Sequence, residues 1–190
     1  MTVPATFLIQ LKSLTDRAWL SQGSLCSWPA NSESVFIAHG LTVTGVNGTG
    51  PGTINLTGTS DSIYFEGNQT FDNATINLGN ASGYSDIIYN YDTDNTGSVL
   101  TLGPNLTIND NSFAYVYLQS AGSNHTGDGI VNQGTINVSG NSQSYYLYVD
   151  PYNFTNQNAI NVSNGDTIYI NPSNTLTNTA SGMITVSGTG

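Results

Sequence analysis

A Thr-Ile-Asn phrase recurs along most of this chain, and its spacing points to one architecture. The phrase and its shorter versions stand at residues 53–55, 75–77, 107–109, 135–137, 160–162 and 184–186. Their isoleucines are separated by 22, 32, 28, 24 and 24 residues. A period in the twenties, with short strands between polar turns, is typical of a solenoid in which each repeat forms one coil.

Each repeat contains three strand-like segments separated by Gly, Asn, Asp and Ser. The first segment is the Thr-Ile-Asn phrase, the second is aromatic, and the third has an apolar residue two positions before an Asn. The longest repeat lacks a clean third segment, and Val99–Leu102 is expected to replace it. Three strands per coil predict an all-β fold, a right-handed parallel β-helix with three sheets.

The alternation of side chains predicts which residues form the core. Ile136 and Val138 share one face of their strand, and Thr135 and Asn137 share the other. Because stacked coils lie about 4.8 Å apart, equivalent side chains should form rows along the axis. One core row is predicted from Ile54, Ile76, Ile108, Ile136, Ile160 and Ile184. A hydrogen-bonded ladder at a turn is predicted from Asn73, Asn132, Asn156 and Asn178.

The chain divides by pattern into an N-terminal region, residues 1–50, and the solenoid repeats, residues 51–190. Residues 5–20 are predicted to form a short capping helix, with a poorly defined, non-native start region as the alternative. Strands are expected at 34–37 and 41–43. The last phrase stands at the end of the sequence without a polar cap. The repeats are therefore interpreted as part of a longer array, with further repeats stacked on the ends.

The charge balance excludes several classes of partner. The formal net charge is −10, and the two basic residues, Lys12 and Arg17, both precede the repeats. Binding of nucleic acid requires Lys and Arg to neutralise phosphates, so no nucleic-acid partner is expected. No apolar run approaches the roughly 20 residues that span a bilayer, so membrane insertion is not expected. With Cys26 as the single cysteine, no disulfide can form within the chain.

The repeat pattern resembles that of bacterial surface adhesins with a β-helix. The stretches that carry the resemblance are 134–138 (Gly-Thr-Ile-Asn-Val) and 178–186. Autotransporter passengers and filamentous-haemagglutinin-like exoproteins belong to this class. The resemblance implies export, an extracellular or cell-surface location, and a role as an adhesin or rigid spacer without catalysis. It also implies a partner on a host or cell surface, either a glycan or a protein.

One tyrosine per coil is predicted to point outward from the aromatic strand. These residues are candidate ligand-binding positions, and they are Tyr64, Tyr89, Tyr117, Tyr148 and Tyr169. Tyr115 and Tyr146 lie two residues before two of them and should widen the same face. An aromatic stripe of this kind suits glycan contact. Cross-strand stabilisation of the sheet is the alternative explanation.

An acidic turn at residues 92–97 is a weak candidate for calcium. Asp92 and Asp94 alternate as oxygen ligands before Gly97, but Gly103 stands where a calcium loop has its bidentate Glu. An ordinary turn is the alternative. No other cofactor is expected.

Two further functions stay open at this stage. A polysaccharide-active β-helix enzyme of the glycoside hydrolase type requires two converging carboxylates, and the nearest pairs are Asp61 with Glu66 and Asp92 with Asp94. His39 and His125 lack metal-ligand spacing. Ice binding is a minor alternative, because an outward row of Thr53, Thr75, Thr107 and Thr135 is predicted, although Ala159 interrupts it. We expect a protein that is not an enzyme.

Overall fold

The computed structural model describes residues 25–28, 34–38, 40–45, 48–56, 58, 60–79, 85–111, 114–121, 126–140 and 146–188. The predicted helix at 5–20 and both histidines lie outside these residues. Every named element in the described ranges is a β-strand. None of these ranges contains a helix that is long and apolar enough to cross a bilayer.

The strands form three parallel sheets, and from β3 onward the chain passes through sheets 1, 2 and 3 in turn in each coil. Sheet 1 contains β1 (Leu25–Trp28), β3 (Gly52–Leu56), β6 (Ala74–Leu78), β9 (Thr107–Asp110), β12 (Thr135–Val138), β15 (Ala159–Val162) and β18 (Met183–Val186). Sheet 2 contains β2 (Ser34–Ile37), β4 (Ser62–Glu66), β7 (Ser85–Tyr91), β10 (Tyr115–Ala121), β13 (Leu147–Asp150) and β16 (Ile168–Ile170). Sheet 3 contains β5 (Gln69–Phe71), β8 (Val99–Leu102), β11 (Gly129–Asn132), β14 (Asn153–Asn156) and β17 (Thr175–Asn178).

This arrangement confirms the three-sheet parallel β-helix. Each strand pairs in parallel with the strand of the same sheet in the next coil, so the backbone hydrogen bonds run along the solenoid axis. The right-handed winding stays a prediction, which the strong right-handed preference of parallel crossovers favours.

The predicted isoleucine row is confirmed and forms the centre of the core. Strand pairing places the six isoleucines in register from coil to coil. Those from Ile54 to Ile160 are at most 2% exposed, whereas Ile184, in the last coil, is 41% exposed. Complete burial of one such side chain is worth about 1.5–3 kcal/mol, so the row is a major contributor to stability.

The third sheet differs from the prediction by two residues at its first strand. Val99–Leu102 replaces the missing third segment as predicted, and its Leu102 pairs with both Phe71 and Asn132. The predicted ladder, which aligns Asn73 with Asn132, would place Phe71 opposite Ile130. Phe71 instead occupies the row of the later asparagines. Its ring lies 5.1 Å from that of Phe65 inside the core. Asn73 lies beyond the strand at φ 55° in a turn, so its predicted place in the ladder is wrong.

The sheets begin earlier in the chain than the repeated phrase. β1 and β2 pair in parallel with β3 and β4, so two strands from the predicted N-terminal region belong to the sheets. The predicted strand at 41–43 is absent from the structure as described. The chain instead reverses there, through a turn in which the Gly45 amide donates to the Gly50 carbonyl oxygen at 3.0 Å.

Candidate functional site

The five predicted tyrosines all lie on the outer face of sheet 2. Their strand neighbours point inward, and Ile63, Ile88, Leu118 and Val149 are at most 1% exposed. The tyrosines themselves are partly exposed, and Tyr169 is 46% exposed. Strand alternation therefore predicted their orientation correctly.

The aromatic residues of this face form two groups instead of one continuous stripe. The N-terminal tyrosine group consists of Phe36, Tyr64, Tyr89 and Tyr91, and the C-terminal tyrosine group consists of Tyr115, Tyr117, Tyr146, Tyr148 and Tyr169. Between β7 and β10, Tyr89 pairs with Gln119, and Tyr117 pairs with Ile87. The aromatic row thus moves by two residues at this point, which corrects the predicted stripe.

The C-terminal group contains a stack of three rings along the axis. The centroids of Tyr117 and Tyr148 are 5.0 Å apart with an interplanar angle of 11°, and those of Tyr148 and Tyr169 are 5.2 Å apart at 12°. Tyr146 lies nearly perpendicular to Tyr148 and Tyr169, and Tyr115 is tilted against Tyr148 at 6.2 Å. Such pairs contribute about 0.5–1.5 kcal/mol each beyond their buried area.

This stacking determines which parts of the rings are available to a ligand. Faces inside the stack contact the neighbouring tyrosine, so ring edges and hydroxyl groups remain for solvent. Tyr169 stands at the end of the stack in the described part of the chain, and its outer face has no stacked ring there. The interpretation of these rings as cross-strand stabilisers therefore accounts for much of their geometry, and it leaves the hydroxyl edges for binding.

The N-terminal group is packed more closely on itself. Tyr64 is stacked between Phe36 at 4.3 Å and Tyr89 at 4.4 Å, and Tyr91 approaches Phe36 and Tyr64 edge-on. Burial, with a further contribution from Tyr89, raises the pKa of the Tyr64 hydroxyl. The assignment of Tyr64 and Tyr89 as ligand-binding residues stays a prediction.

A row of polar side chains runs beside the C-terminal stack. Gln119 and Asp150 follow Tyr117 and Tyr148 by two residues, pair with each other and point to the same outer face. Asn171 stands in the same relation to Tyr169, and its backbone N–H donates to the Val149 carbonyl oxygen at 2.9 Å. The sequence signal for this row is a Tyr, any residue, and then a polar residue, at 117–119, 148–150 and 169–171, and none of these polar residues was among the predicted binding positions.

Asp150 is the charged member of the polar row. Its Oδ1 atom is buried and has no hydrogen-bond partner among the residues that the structure describes. Burial raises the pKa of Asp150. Burial also raises the pKa of the Tyr117 hydroxyl, to which the nearby Tyr148 and Asp150 add. Because Tyr148 and Asp150 share the outer face of β13, the carboxylate lies beside the stacked rings.

The candidate calcium residues form a compact turn. Asp92 Oδ1 accepts the amides of Asp94 and Asn95 at 3.1 and 3.0 Å, and its Oδ2 accepts that of Gly97 at 2.8 Å. Burial acts to raise the pKa of Asp92, but these hydrogen bonds lower it overall. In the described ranges, no group of three or more His, Cys, Asp or Glu residues could hold a metal. The hydrogen bonds fit the ordinary turn, and calcium binding stays a prediction.

Two other carboxylates, those of Asp61 and Asp86, lie near the N-terminal ends of sheet 2 strands β4 and β7. Asp86 is fully buried, and its Oδ1 accepts the Asp61 amide at 3.1 Å. Burial, with repulsion from Asp61 and Asp110, raises the pKa of Asp86 to about 7. Of the predicted carboxylate pairs, Asp61 is buried at 1% exposure, whereas Glu66 is on the outer face of β4.

The outer face of sheet 1 carries two regular polar rows. The four predicted threonines are in register, and the row continues with Ala159 and Met183. Beside it, asparagine side chains hydrogen-bond from coil to coil at 2.8–3.0 Å, through Asn55, Asn77, Asn109, Asn137 and Asn161. Ice binding by this face stays a prediction. Inside sheet 3, the ladder of Asn132, Asn156 and Asn178 has two bonds of 2.8 Å.

Comparison with known proteins finds no similar family model, no similar curated protein and no similar solved structure.

Proposed function

We propose that this chain is a rigid, non-catalytic β-helix of an exported surface protein, an adhesin or spacer, and that its C-terminal tyrosine group binds glycans. The observation that carries the proposal is the pairing of two rows on one face. Tyrosines 117, 148 and 169 lie beside Gln119, Asp150 and Asn171 through three successive coils.

The paired rows offer what a sugar polymer needs. Phenol, amide and carboxylate groups can exchange hydrogen bonds with sugar hydroxyls. The rows repeat about every 4.8 Å along the axis, so an extended oligosaccharide lying along the solenoid would meet the same chemistry in each coil.

Rigidity supports the adhesin or spacer role. Backbone hydrogen bonds, the isoleucine row, the asparagine ladders and the tyrosine stacks all run parallel to the axis. Each coil is thereby tied to its neighbours in several independent ways, which suits a rod that presents a binding face at a distance.

The placement of the carboxylates supports a non-catalytic role. Asp61 and Glu66 occupy different faces, and the turn amides occupy both oxygens of Asp92. A glycoside hydrolase instead needs two accessible carboxyl groups on either side of one bond.

Binding to an oligosaccharide array tests the proposed glycan site. Tyr148→Ala and Tyr117→Ala are expected to remove binding, whereas the matched control Tyr64→Ala deletes a stacked ring from the other group and should retain it. Circular dichroism confirms that each variant is folded. Unchanged binding in both C-terminal variants would reject this surface, and equal loss in all three would reject its assignment to the C-terminal group.

A further inference from the structure

The carboxylate of Asp150 is incompletely hydrogen-bonded in the described part of the chain. Its Oδ1 is buried without a hydrogen-bond partner in the described ranges, although the side chain lies on the outer face of sheet 2. By ordinary strand geometry, the Cα atoms of Asp150 and Tyr148 are about 6.6 Å apart along β13. The Cα atom of Gln119, the partner of Asp150 on the neighbouring strand, is about 4.8 Å away. A carboxylate in such a place is stabilised by a donor or by a positive charge.

The chain supplies little positive charge of its own. No Lys or Arg follows Arg17 in the sequence, and the formal net charge is −10. Glycans that carry carboxylates or sulfates would be repelled by this surface, and they would find no basic residue among the repeats. A ligand that brings its own cation would be attracted, both by the net charge and by Asp150.

We infer that the C-terminal tyrosine group selects glycans with protonated amino groups, and that Asp150 binds the ammonium group. The inference rests on the proposed glycan-binding function and specifies its ligand class. Because Oδ1 is buried, the ammonium group donates its charge-assisted hydrogen bond to Oδ2, which is not among the buried atoms without a partner. Gln119 and Asn171, on either side of Asp150 along the polar row, bind the hydroxyls of the neighbouring sugar units.

Titration calorimetry with three oligosaccharides of equal length tests this inference. The probes are a glucosamine oligomer with protonated amines, its N-acetylated counterpart and an oligogalacturonate. The folded wild-type protein is expected to bind the glucosamine oligomer at least about tenfold more tightly than the N-acetylated one, because only the amine forms a charge-assisted hydrogen bond with Asp150. The oligogalacturonate should bind most weakly.

Two variants that each remove one negative charge distinguish the specific effect of Asp150 on binding from the effect of the protein's net charge. Asp150→Asn should remove the preference for the amine, whereas Glu66→Gln makes the same charge change beside Tyr64 on the same sheet and should leave affinity within about twofold. Equal affinity for the amine and N-acetyl oligomers, or an unchanged preference in Asp150→Asn, would overturn the inference while glycan binding stands.

Two further outcomes are distinct from these. Failure of all three oligosaccharides to bind would overturn the proposed function together with the inference. Polylysine that binds as tightly as the glucosamine oligomer, with the same dependence on Asp150, would overturn the inference in favour of a basic polypeptide partner.

Discussion

Strands β12 and β18 carry the same pattern in the same sheet, but their surroundings differ. Ile136 and Val138 of β12 are at most 1% exposed, whereas Ile184 and Val186 of β18 are 41% and 76% exposed. The side chains belong to the same two rows and are in register through β15. In a solenoid, therefore, an apolar residue is buried by the coils on both sides of it, and the alternation within its own strand supplies only the direction.

The largest expected difference between the two strands lies in core truncation. Ile136→Ala should lower the free energy of unfolding by about 2–5 kcal/mol, because it leaves a cavity in a closely packed row. Ile184→Ala should lower it by less than about 1 kcal/mol, because water already reaches that side chain. Urea unfolding followed by circular dichroism measures both, and equal losses would contradict the comparison.

A second difference concerns two aspartates near the N-terminal ends of sheet 2 strands, Asp86 within β7 and Asp166 in the loop before β16. The pKa of Asp86 is about 7 in the folded protein against 3.8 ordinarily, so the folded state holds a proton that the unfolded state releases. Stability should therefore fall as pH rises from about 4 to about 7 and then level off. The difference between the two pKa values corresponds to an Asp86 contribution of up to about 4 kcal/mol.

Thermal unfolding across this pH range checks the contribution of Asp86. Asp86→Asn should flatten the pH dependence. The partly exposed Asp166, which accepts the Gly140 amide, serves as the control, and Asp166→Asn should leave the dependence in place. An identical pH profile for wild type and Asp86→Asn would show that Asp86 does not carry it.

The smallest expected difference is found in the inner asparagine ladder. Asn156 accepts from Asn132 and donates to Asn178, and it is fully buried, whereas Asn178 is exposed. Asn156→Ala should destabilise by about 1.5 kcal/mol, because buried partners lose hydrogen bonds. Asn178→Ala should have about a third of that effect, since water replaces the lost contact. Chemical denaturation measures the free energy of unfolding of both variants. A larger loss for Asn178→Ala than for Asn156→Ala would contradict the idea that burial strengthens the ladder's hydrogen bonds.

Strand positions were predictable where side chains repeat with period two. The isoleucine row, the outward tyrosines and the replacement strand at 99–102 all follow from alternation and coil length. The register between coils was less predictable. At Phe71 and again at Tyr117, the structure is shifted by two residues from the expected alignment. A shift of two keeps every side chain on its own face, so the alternating pattern contains no signal against it.

The candidate site shows the same division. The outward orientation of Tyr117 and Tyr148 was evident from the sequence, but the division of the aromatic residues into two groups was not. Asp150 is a candidate site residue because it lies beside Gln119 and Tyr117. These two residues are 31 and 33 positions earlier in the chain and become neighbours of Asp150 only across the sheet. No local pattern shows that its Oδ1 is buried without a partner.

The sequence by itself determined that this chain coils, because a recurring Ile flanked by Thr and Asn can bury one face only by stacking on copies of itself. It also determined which side of each strand faces the core, because successive side chains point in opposite directions. The tertiary structure decided which residues become neighbours along the axis. That choice depends on how loops of different length bring successive coils into register, and packing between coils, such as the ring of Phe71 against Phe65, selects among alignments that local pattern leaves equivalent.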